Sequence, residues 1–592
     1  MRSARLAHWI VPTLLVLLCG CPDLDDEELT AATSGDEADA GPIPDDLPPP
    51  EKSFFIGESR DFSGPGACAN ADLNDVTSSL EQELDASGWA GIRWVDGESQ
   101  AEDFADSSLF PGSGNDQLYG DNATLAVYAG HGNVGRWQWG TPSPAGTCVL
   151  PLASALRLGT LAGDQATTLM SLTSCTGRAD QLWSTIGATS RLRQILAYHN
   201  SPAIWGNQPR DFLRASESLS NRKAWLLTMA TRPGAGLNSP VVLTLGQDPE
   251  DALFHHQSAR LAELSGLSPA PEDAQGYAMS VLNYGCGPCK CPQADFASPW
   301  ISFDEAALEI GAQLQLLPPQ LEMLTLTRVT RNTEGLLARA STLLEHLGID
   351  ASPQQLEPWA KQALEPGVGL HAWSPAAVDG VALMYSAEDD DLLLVDEREA
   401  VAMSPELDRE DAQDVFLKTV WALQAEGLVP TVDTTKIDVG EMTTEIGGVG
   451  LATVRRIDGW QFTAYTAHDG FLVLNSGISA FVDRSARVSA VRLFDVSRMA
   501  LAQVGPRDDP ALLVQRWSDG LASHSGTAQY IFIEDTQWSY LLEPGNDHDD
   551  VEPRLIVRYV LGHEHDGDIM PSRQFILALS PLVEAELALP LP

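Results

Sequence analysis

The sequence predicts an α/β protein: a mostly parallel sheet flanked by helices, followed by α+β units of helix and antiparallel sheet. Three observations predict it. Before residue 250, short continuous apolar runs end in Gly or polar residues, as at 124–132 (TLAVYAGHG) and 168–175 (TLMSLTSC). Runs of that kind suit strands buried on both faces of a parallel sheet. Apolar residues at helical spacing lie between them, as at Leu73, Val76, Leu80 and Leu84. After about residue 318 the pattern shifts to amphipathic helices and to alternating strands separated by turn residues.

The N-terminus reads as an export signal. Arg2 and Arg5 precede the apolar stretch 10–18 (IVPTLLVLL), which is too short for a stable membrane span. The stretch runs into Leu18-Cys19-Gly20-Cys21, which resembles a bacterial lipoprotein box. The resemblance implies cleavage before Cys21 and lipidation of its thiol, against the alternative of a plain secretory signal. Residues 1–21 are therefore expected to be a lipoprotein signal with lipidated Cys21. Residues 22–52, acidic and rich in proline (Pro48-Pro49-Pro50), are expected to be an extended tether. The expected location is the bacterial cell envelope, outside the cytoplasmic membrane. The net charge of −46 argues against nucleic acid as a partner and leaves the lipid anchor as the membrane contact.

Residues 53–265 are expected to form the α/β domain. Strands are expected at 53–57, 92–95, within 124–132 and 168–175, and at 194–198 and 240–245, with helices at 211–218 and 222–229. Gly88 is the expected stop of the helix carrying Leu80 and Leu84. Open α/β sheets place chemistry at the carboxyl ends of strands. His131 and Cys175 each follow such a strand, 44 positions apart. That interval suits a loop and one crossover helix, expected at 151–158. A nearby imidazole turns a thiol into a nucleophilic thiolate. The backbone N–H groups of Gly132 and Cys175 are candidates to hold an oxyanion. Trp137 and Trp139 are candidate walls of a substrate groove, with simple packing as the equal alternative. His199, at another expected strand end, is a second candidate ranked below His131, because a lone histidine there is more often a hydrogen-bonded structural residue.

Strand-His-Gly followed later by strand-small-Cys resembles the caspase–legumain–gingipain–clostripain group of cysteine peptidases. The resemblance covers roughly residues 53–250 and implies His131 as catalytic histidine and Cys175 as nucleophile, with no metal or organic cofactor and with a peptide or protein substrate. The region is more similar to an uncharacterised caspase-like domain family of exported bacterial proteins. Gly88-Trp89, Ala101-Glu102-Asp103-Phe104, Gly130-His131-Gly132-Asn133, Ser174-Cys175 and Ala224-Trp225 carry that similarity. The caspase signature Gln-Ala-Cys-Arg-Gly is replaced by Thr-Ser-Cys-Thr-Gly. The implied activity is peptide-bond hydrolysis. The alternative is a binding or scaffolding lipoprotein that keeps the fold without the chemistry.

Six cysteines follow Cys21: Cys68, Cys148, Cys175, Cys286, Cys289 and Cys291. In an oxidising compartment they are disulfide candidates, and Cys68 and Cys148, both in loops, could bridge. Cys286-Gly287-Pro288-Cys289 matches a thioredoxin-type motif, but Cys291 and Pro292 interrupt the helix such a site needs, so a stapled loop is expected. Residues 266–317 are expected to be a cysteine-containing linker.

Two α+β units are expected at 318–445 and 446–592. Leu336, Ala340, Leu343, Leu344 and Leu347 mark one amphipathic helix, ending at Gly348. Val415, Phe416, Val420 and Leu423 mark a second, ending at Gly427. Strands are expected at 451–456, 460–467, 470–474, 479–483, 488–495, 554–561 and 574–580, with turns at Asp458-Gly459 and Asp469-Gly470. The pattern weakly resembles PepSY-type domains of exported proteins, which implies a partner-binding or regulatory role. His563-Glu564-His565-Asp566-Gly567-Asp568 reads as a solvated acidic turn rather than a metal site.

Overall fold

Five parallel strands form the centre of the N-terminal half in a computed structural model of the chain. It describes residues 51–68, 70, 72–110, 113–160, 164–179, 181–202, 204, 206–230, 238–271, 274–284, 300–315, 320–328, 332–365, 370–375, 380–387, 390–398, 407–468, 471–494, 497–506, 509–525, 528–541, 550–551, 553–565, 568–579 and 589–590. Cys21, most of the expected tether, and Cys286, Cys289 and Cys291 lie outside the described residues, as do Asp566 and Gly567. No described helix is long and apolar enough to cross a membrane.

The strands β1 (Ser53–Glu58), β2 (Ala90–Val95) and β3 (Leu125–Ala129) come first. A small three-stranded sheet follows, made of β4 (His131–Asn133), β5 (Arg136–Gln138) and β6 (Val149–Pro151). Then come β7 (Thr168–Leu172), β8 (Gln194–Tyr198), β9 (Pro240–Gly246) and β10 (Gly276–Asn283). The parallel order is β2-β1-β3-β7-β8. Then β9 runs antiparallel to β8, and β10 antiparallel to β9. The helices of this half are α1 (Ser78–Ala86), α2 (Leu152–Ala155), α3 (Leu182–Thr185), α4 (Gln208–Ala215), α5 (Asn221–Thr228) and α6 (Pro249–Ser258).

The apolar runs are buried on both faces. Leu125, Val127, Met170 and Leu196 join one core, while Ala126, Tyr128, Leu169 and Ile195 join the core on the opposite face. Side chains alternate sides along a strand, so a run apolar at every position fits only a sheet covered twice.

The second half continues the same sheet. The free edge of β10 pairs antiparallel with Val432–Gly448. From there the sheet runs through Val454–His468, Phe471–Asp483, Val488–Phe494, Asp391–Asp396, Val381–Ser386 and Leu370–Trp373. The protein is thus α/β with a large mixed sheet that is mostly antiparallel, and eleven α-helices among the described residues. The segment expected as a linker contributes a central strand, β10. The boundary expected between 445 and 446 falls inside Val432–Gly448.

The glycine stops hold. Gly88, Gly348 and Gly427 all adopt left-handed φ, at 78°, 69° and 74°. After each, the next N–H reaches back to a helix carbonyl: Trp89 to Leu84 at 2.9 Å, Ile349 to Leu344 at 2.8 Å, Leu428 to Leu423 at 2.9 Å. Each such apolar residue is buried in the same core as its partner, which is the hydrophobic contact that accompanies this cap.

Three expectations fail for physical reasons. The first helix begins at Ser78 rather than near Leu73, because the Asp75 carboxylate accepts the N–H groups of Thr77 and Ser78 at 3.2 and 2.9 Å. The helix expected at 151–158 is a single turn, α2: Pro151 is taken by the pairing with β5, and the backbone is already extended at Leu156. Asp458-Gly459 is no turn but the interior of Val454–His468. Asp458 is the extra residue of a bulge, bound by Arg222 at 3.4 Å and Arg456 at 2.7 Å.

Before β3, burial pushes three carboxyls upward: Asp103 to about 7, Asp116 to about 6 and Asp121 to about 9, the last two also through neighbouring carboxylates. Each binds its proton more tightly folded than unfolded, where a carboxyl titrates near ~3.9. Their contribution to stability is therefore present below about pH 4 and is lost as pH rises towards 9. Asp121→Asn is expected to stabilise the protein by about 1–3 kcal/mol near pH 8 and by much less near pH 5. Urea titrations at the two pH values check this, and an equal effect at both would refute it.

Candidate active site

The site is assembled by the pairing of β3 with β7. The register sets Ala129 opposite Leu172, so the two strands end level. Gly130-His131-Gly132 leaves one strand and Thr173-Ser174-Cys175 leaves its neighbour. A Cβ placed on Gly132 would stand 3.0 Å from both Cβ and Oγ1 of Thr173. The His131 hairpin and the Cys175 turn therefore lie against each other at one carboxyl edge of the sheet.

His131 begins β4 and pairs with Gln138 across the hairpin. It is half-buried. Its ring meets Phe62 edge to face, with centroids 4.5 Å apart. Cys175 is buried and stands outside the disulfide described below. Its backbone takes a left-handed φ of 60°, uncommon for a residue with a side chain. The Cys175 N–H donates to the Asn200 carbonyl at 3.1 Å, and its own carbonyl accepts from the Arg178 N–H at 3.1 Å. An oxyanion role for that N–H thus requires its release from Asn200.

The end of β8 supports the turn. The Asn200 side chain accepts the Ser239 N–H at 2.9 Å. His199 is buried, and its Nδ1 accepts the Ala179 N–H at 3.1 Å, so it serves the backbone beside Cys175.

Trp137 and Trp139 do not wall an open groove. Both are fully buried, and Trp137 stacks on Tyr128 with centroids 4.5 Å apart. The Trp137 Nε1–H donates to the hydroxyls of Ser171 and Thr176, each at 3.2 Å. Thr173 bonds both of those hydroxyls, that of Ser171 at 3.0 Å. Trp139 donates to Ser99 Oγ at 3.1 Å. Trp137 lies beneath the turn, and Trp139 packs beside it against Tyr128 and Phe104. Sequence reasoning singled out the two tryptophans but missed Ser171, Thr173, Thr176, Phe62 and Asn200. Only the hydroxyl-rich run Ser171–Thr176 offered a signal.

Cys68 and Cys148 form a disulfide with Cα atoms 5.2 Å apart. It closes a loop across 80 positions, which stabilises by about 2–4 kcal/mol, chiefly through the unfolded state. Among the described residues, no group of three or more His, Cys, Asp or Glu is placed to hold a metal ion.

No protein-family model matches the chain, and no curated protein matches it. Among solved structures, it is similar to the crystal structure of an uncharacterized protein from Eubacterium rectale ATCC 33656. The likeness has 10% sequence identity, covers 45% of this chain and 86% of that one, and reaches a TM-score of 0.31.

The buried network makes a direct prediction. Trp137→Phe leaves the hydroxyls of Ser171 and Thr176 without their indole donor and opens a small void. It is expected to destabilise the protein by about 1–3 kcal/mol in urea unfolding. A loss well below that range would mean that the indole N–H is not needed under the turn.

Proposed function

We propose that this chain is a lipid-anchored protein of the bacterial cell envelope whose caspase-like α/β half hydrolyses peptide bonds through Cys175 and His131. The observation that carries the reading is the level ending of β3 and β7, which delivers both residues to one edge of the sheet. The Cys175 thiolate attacks the scissile carbonyl carbon, with its proton passed to His131. The protonated imidazole then gives that proton to the leaving amine, and a thioester remains on Cys175. Water, deprotonated by His131, hydrolyses the thioester and restores the thiol. The Gly132 N–H is one candidate to hold the oxyanion. The Cys175 N–H joins it once Asn200 lets go. The sequence needs no metal or organic cofactor for these steps.

The Cys68–Cys148 disulfide supports an oxidising compartment. The net charge of −46 supports a dispersed extracytoplasmic protein and opposes nucleic acid as a partner. The weakly PepSY-like half is the candidate partner-binding or regulatory module. A second reading, a binding or scaffolding lipoprotein, is favoured by the burial of Cys175 and the engagement of its N–H.

Purified, unreduced protein treated with iodoacetamide or a peptidyl acyloxymethyl ketone near neutral pH, then peptide-mapped, separates the two. Under the peptidase reading Cys175 labels about tenfold faster or more than in His131→Ala, in line with an imidazole-activated thiolate. Labelling indifferent to His131 favours the scaffold.

A further inference from the structure

We propose that Phe62 is a positioning residue for His131, locked in place by the Cys68–Cys148 disulfide; the inference rests on the His131–Cys175 reading above. Phe62 is buried, and its ring meets that of His131 at an interplanar angle of 72°. An aromatic edge or face so close restricts how the imidazole can turn, and it favours the charged form where the ring face is presented.

Phe62 belongs to a strap that leaves β1 and crosses the His131 hairpin. Its own N–H donates to Asp72 Oδ1 at 2.8 Å, and its carbonyl accepts the Asn70 N–H at 3.1 Å. Several ties then fix the strap to the hairpin, among them the Gly140 N–H donating to Ser59 Oγ at 3.0 Å. Asn70 Nδ2 donates to Gln138 Oε1 at 2.9 Å, and Gln138 is the residue paired with His131. The Cys68–Cys148 disulfide joins the strap to the segment leading into β6. There the Cys148 carbonyl accepts the Trp139 N–H at 2.7 Å. The strap also lies too close to the hairpin for any side chain at position 140, where a Cβ would stand 1.7 Å from the Asp61 carbonyl oxygen. Disulfide, strap, aromatic ring and imidazole form one mechanical series. Reducing the bridge with a dithiol, which is itself oxidised to its disulfide as Cys68 and Cys148 gain one hydrogen each, removes the covalent tie. The strap then keeps hydrogen bonds such as that of Asn70 but no covalent link to the segment leading into β6.

The test is the pH profile of Cys175 alkylation by iodoacetamide, measured on the full unreduced chain over about pH 5–9 with thermal melting as a fold check. Phe62→Ala, Phe62→Leu, a Cys68→Ser/Cys148→Ser pair and His131→Ala are compared with the parent. Phe62→Ala is expected to move the midpoint up by about one unit, towards that of His131→Ala, a roughly tenfold slower reaction on the acid side. Phe62→Leu, which keeps the apolar fill without the ring, and the cysteine pair are expected to fall between the two. Should Phe62→Ala not fold, the intermediate midpoint of Phe62→Leu carries the test. Profiles of the Phe62 variants that superpose on the parent, while His131→Ala is shifted, would overturn the positioning role alone. A His131→Ala profile that superposes on the parent would overturn the dyad and this inference together.

Discussion

Everything at the candidate site depends on one parallel pairing, β3 against β7 in the register that sets Ala129 opposite Leu172. That register is strongly specified, because both strands are buried on both faces. A slip of one residue would exchange the sets that Tyr128 and Leu169 supply to one core for those that Val127 and Met170 supply to the other. Tyr128 would also lose the hydrogen bond from its hydroxyl to the Gln138 carbonyl, at 2.5 Å. The hydroxyl would be a buried donor without an acceptor, a cost of about 1–3 kcal/mol. The positions of His131 and Cys175 are thus consequences of core packing as much as of the turns that carry them.

A second constraint joins the two halves. His256 is fully buried, with Nδ1 bonded to the Thr244 hydroxyl at 2.8 Å and Nε2 to that of Ser280 at 2.7 Å. Burial holds it well below the usual histidine range, so it is neutral and each ring nitrogen is matched to a hydroxyl. Ser280 continues to Thr444 at 2.6 Å, and Thr444 to Asp458. Asp458 is bound by Arg222, on α5. The chain of contacts therefore crosses from β9 and α6 through β10 into the antiparallel strands and returns to the first half. Beside it, Ser220 donates to Glu397 at 2.9 Å. A shared strand with a buried polar network on it ties the halves together more firmly than a surface contact, because each member is costly to leave unpaired.

What was legible in the sequence follows from how local the responsible physics is. Apolar runs announced β1, β3, β7, β8 and β9, and single glycines announced three helix ends, because strand burial and left-handed caps need only neighbouring residues. Partner-dependent features were not legible. β10 pairs with β9 on one edge and, on the other, with Val432–Gly448 far along the chain, so its segment read as a linker. Asp458-Gly459 has the composition of a hairpin turn, but Arg222 and Arg456 hold Asp458 within a strand, and a Cβ on Gly459 would stand 2.3 Å from the Val482 carbonyl. Trp137 and Trp139 read equally well as exposed or buried. The hydroxyls of Ser171, Thr176 and Ser99, which satisfy their indole N–H groups, decided for burial. At the site, His131 and Cys175 were legible as strand-end residues, while Phe62 and Asn200 act through contacts that no local pattern encodes.

The backbone at Cys175 bears on whether that residue is merely structural. A left-handed conformation costs a residue with a Cβ roughly 1–2 kcal/mol relative to the right-handed region. A buried cysteine needed only as a small apolar filler has no use for such a turn, since a serviceable core thiol can sit within a strand. Here the strained residue is the one that ends the polar turn, and the surroundings are spent on holding it: the Asn200 carbonyl on its N–H, the Arg178 N–H on its carbonyl, and the Trp137-braced hydroxyls beneath. Strain that persists because several independent contacts over-determine it is the pattern found at functional positions. The bond from its N–H to Asn200 closes the turn on the end of β8.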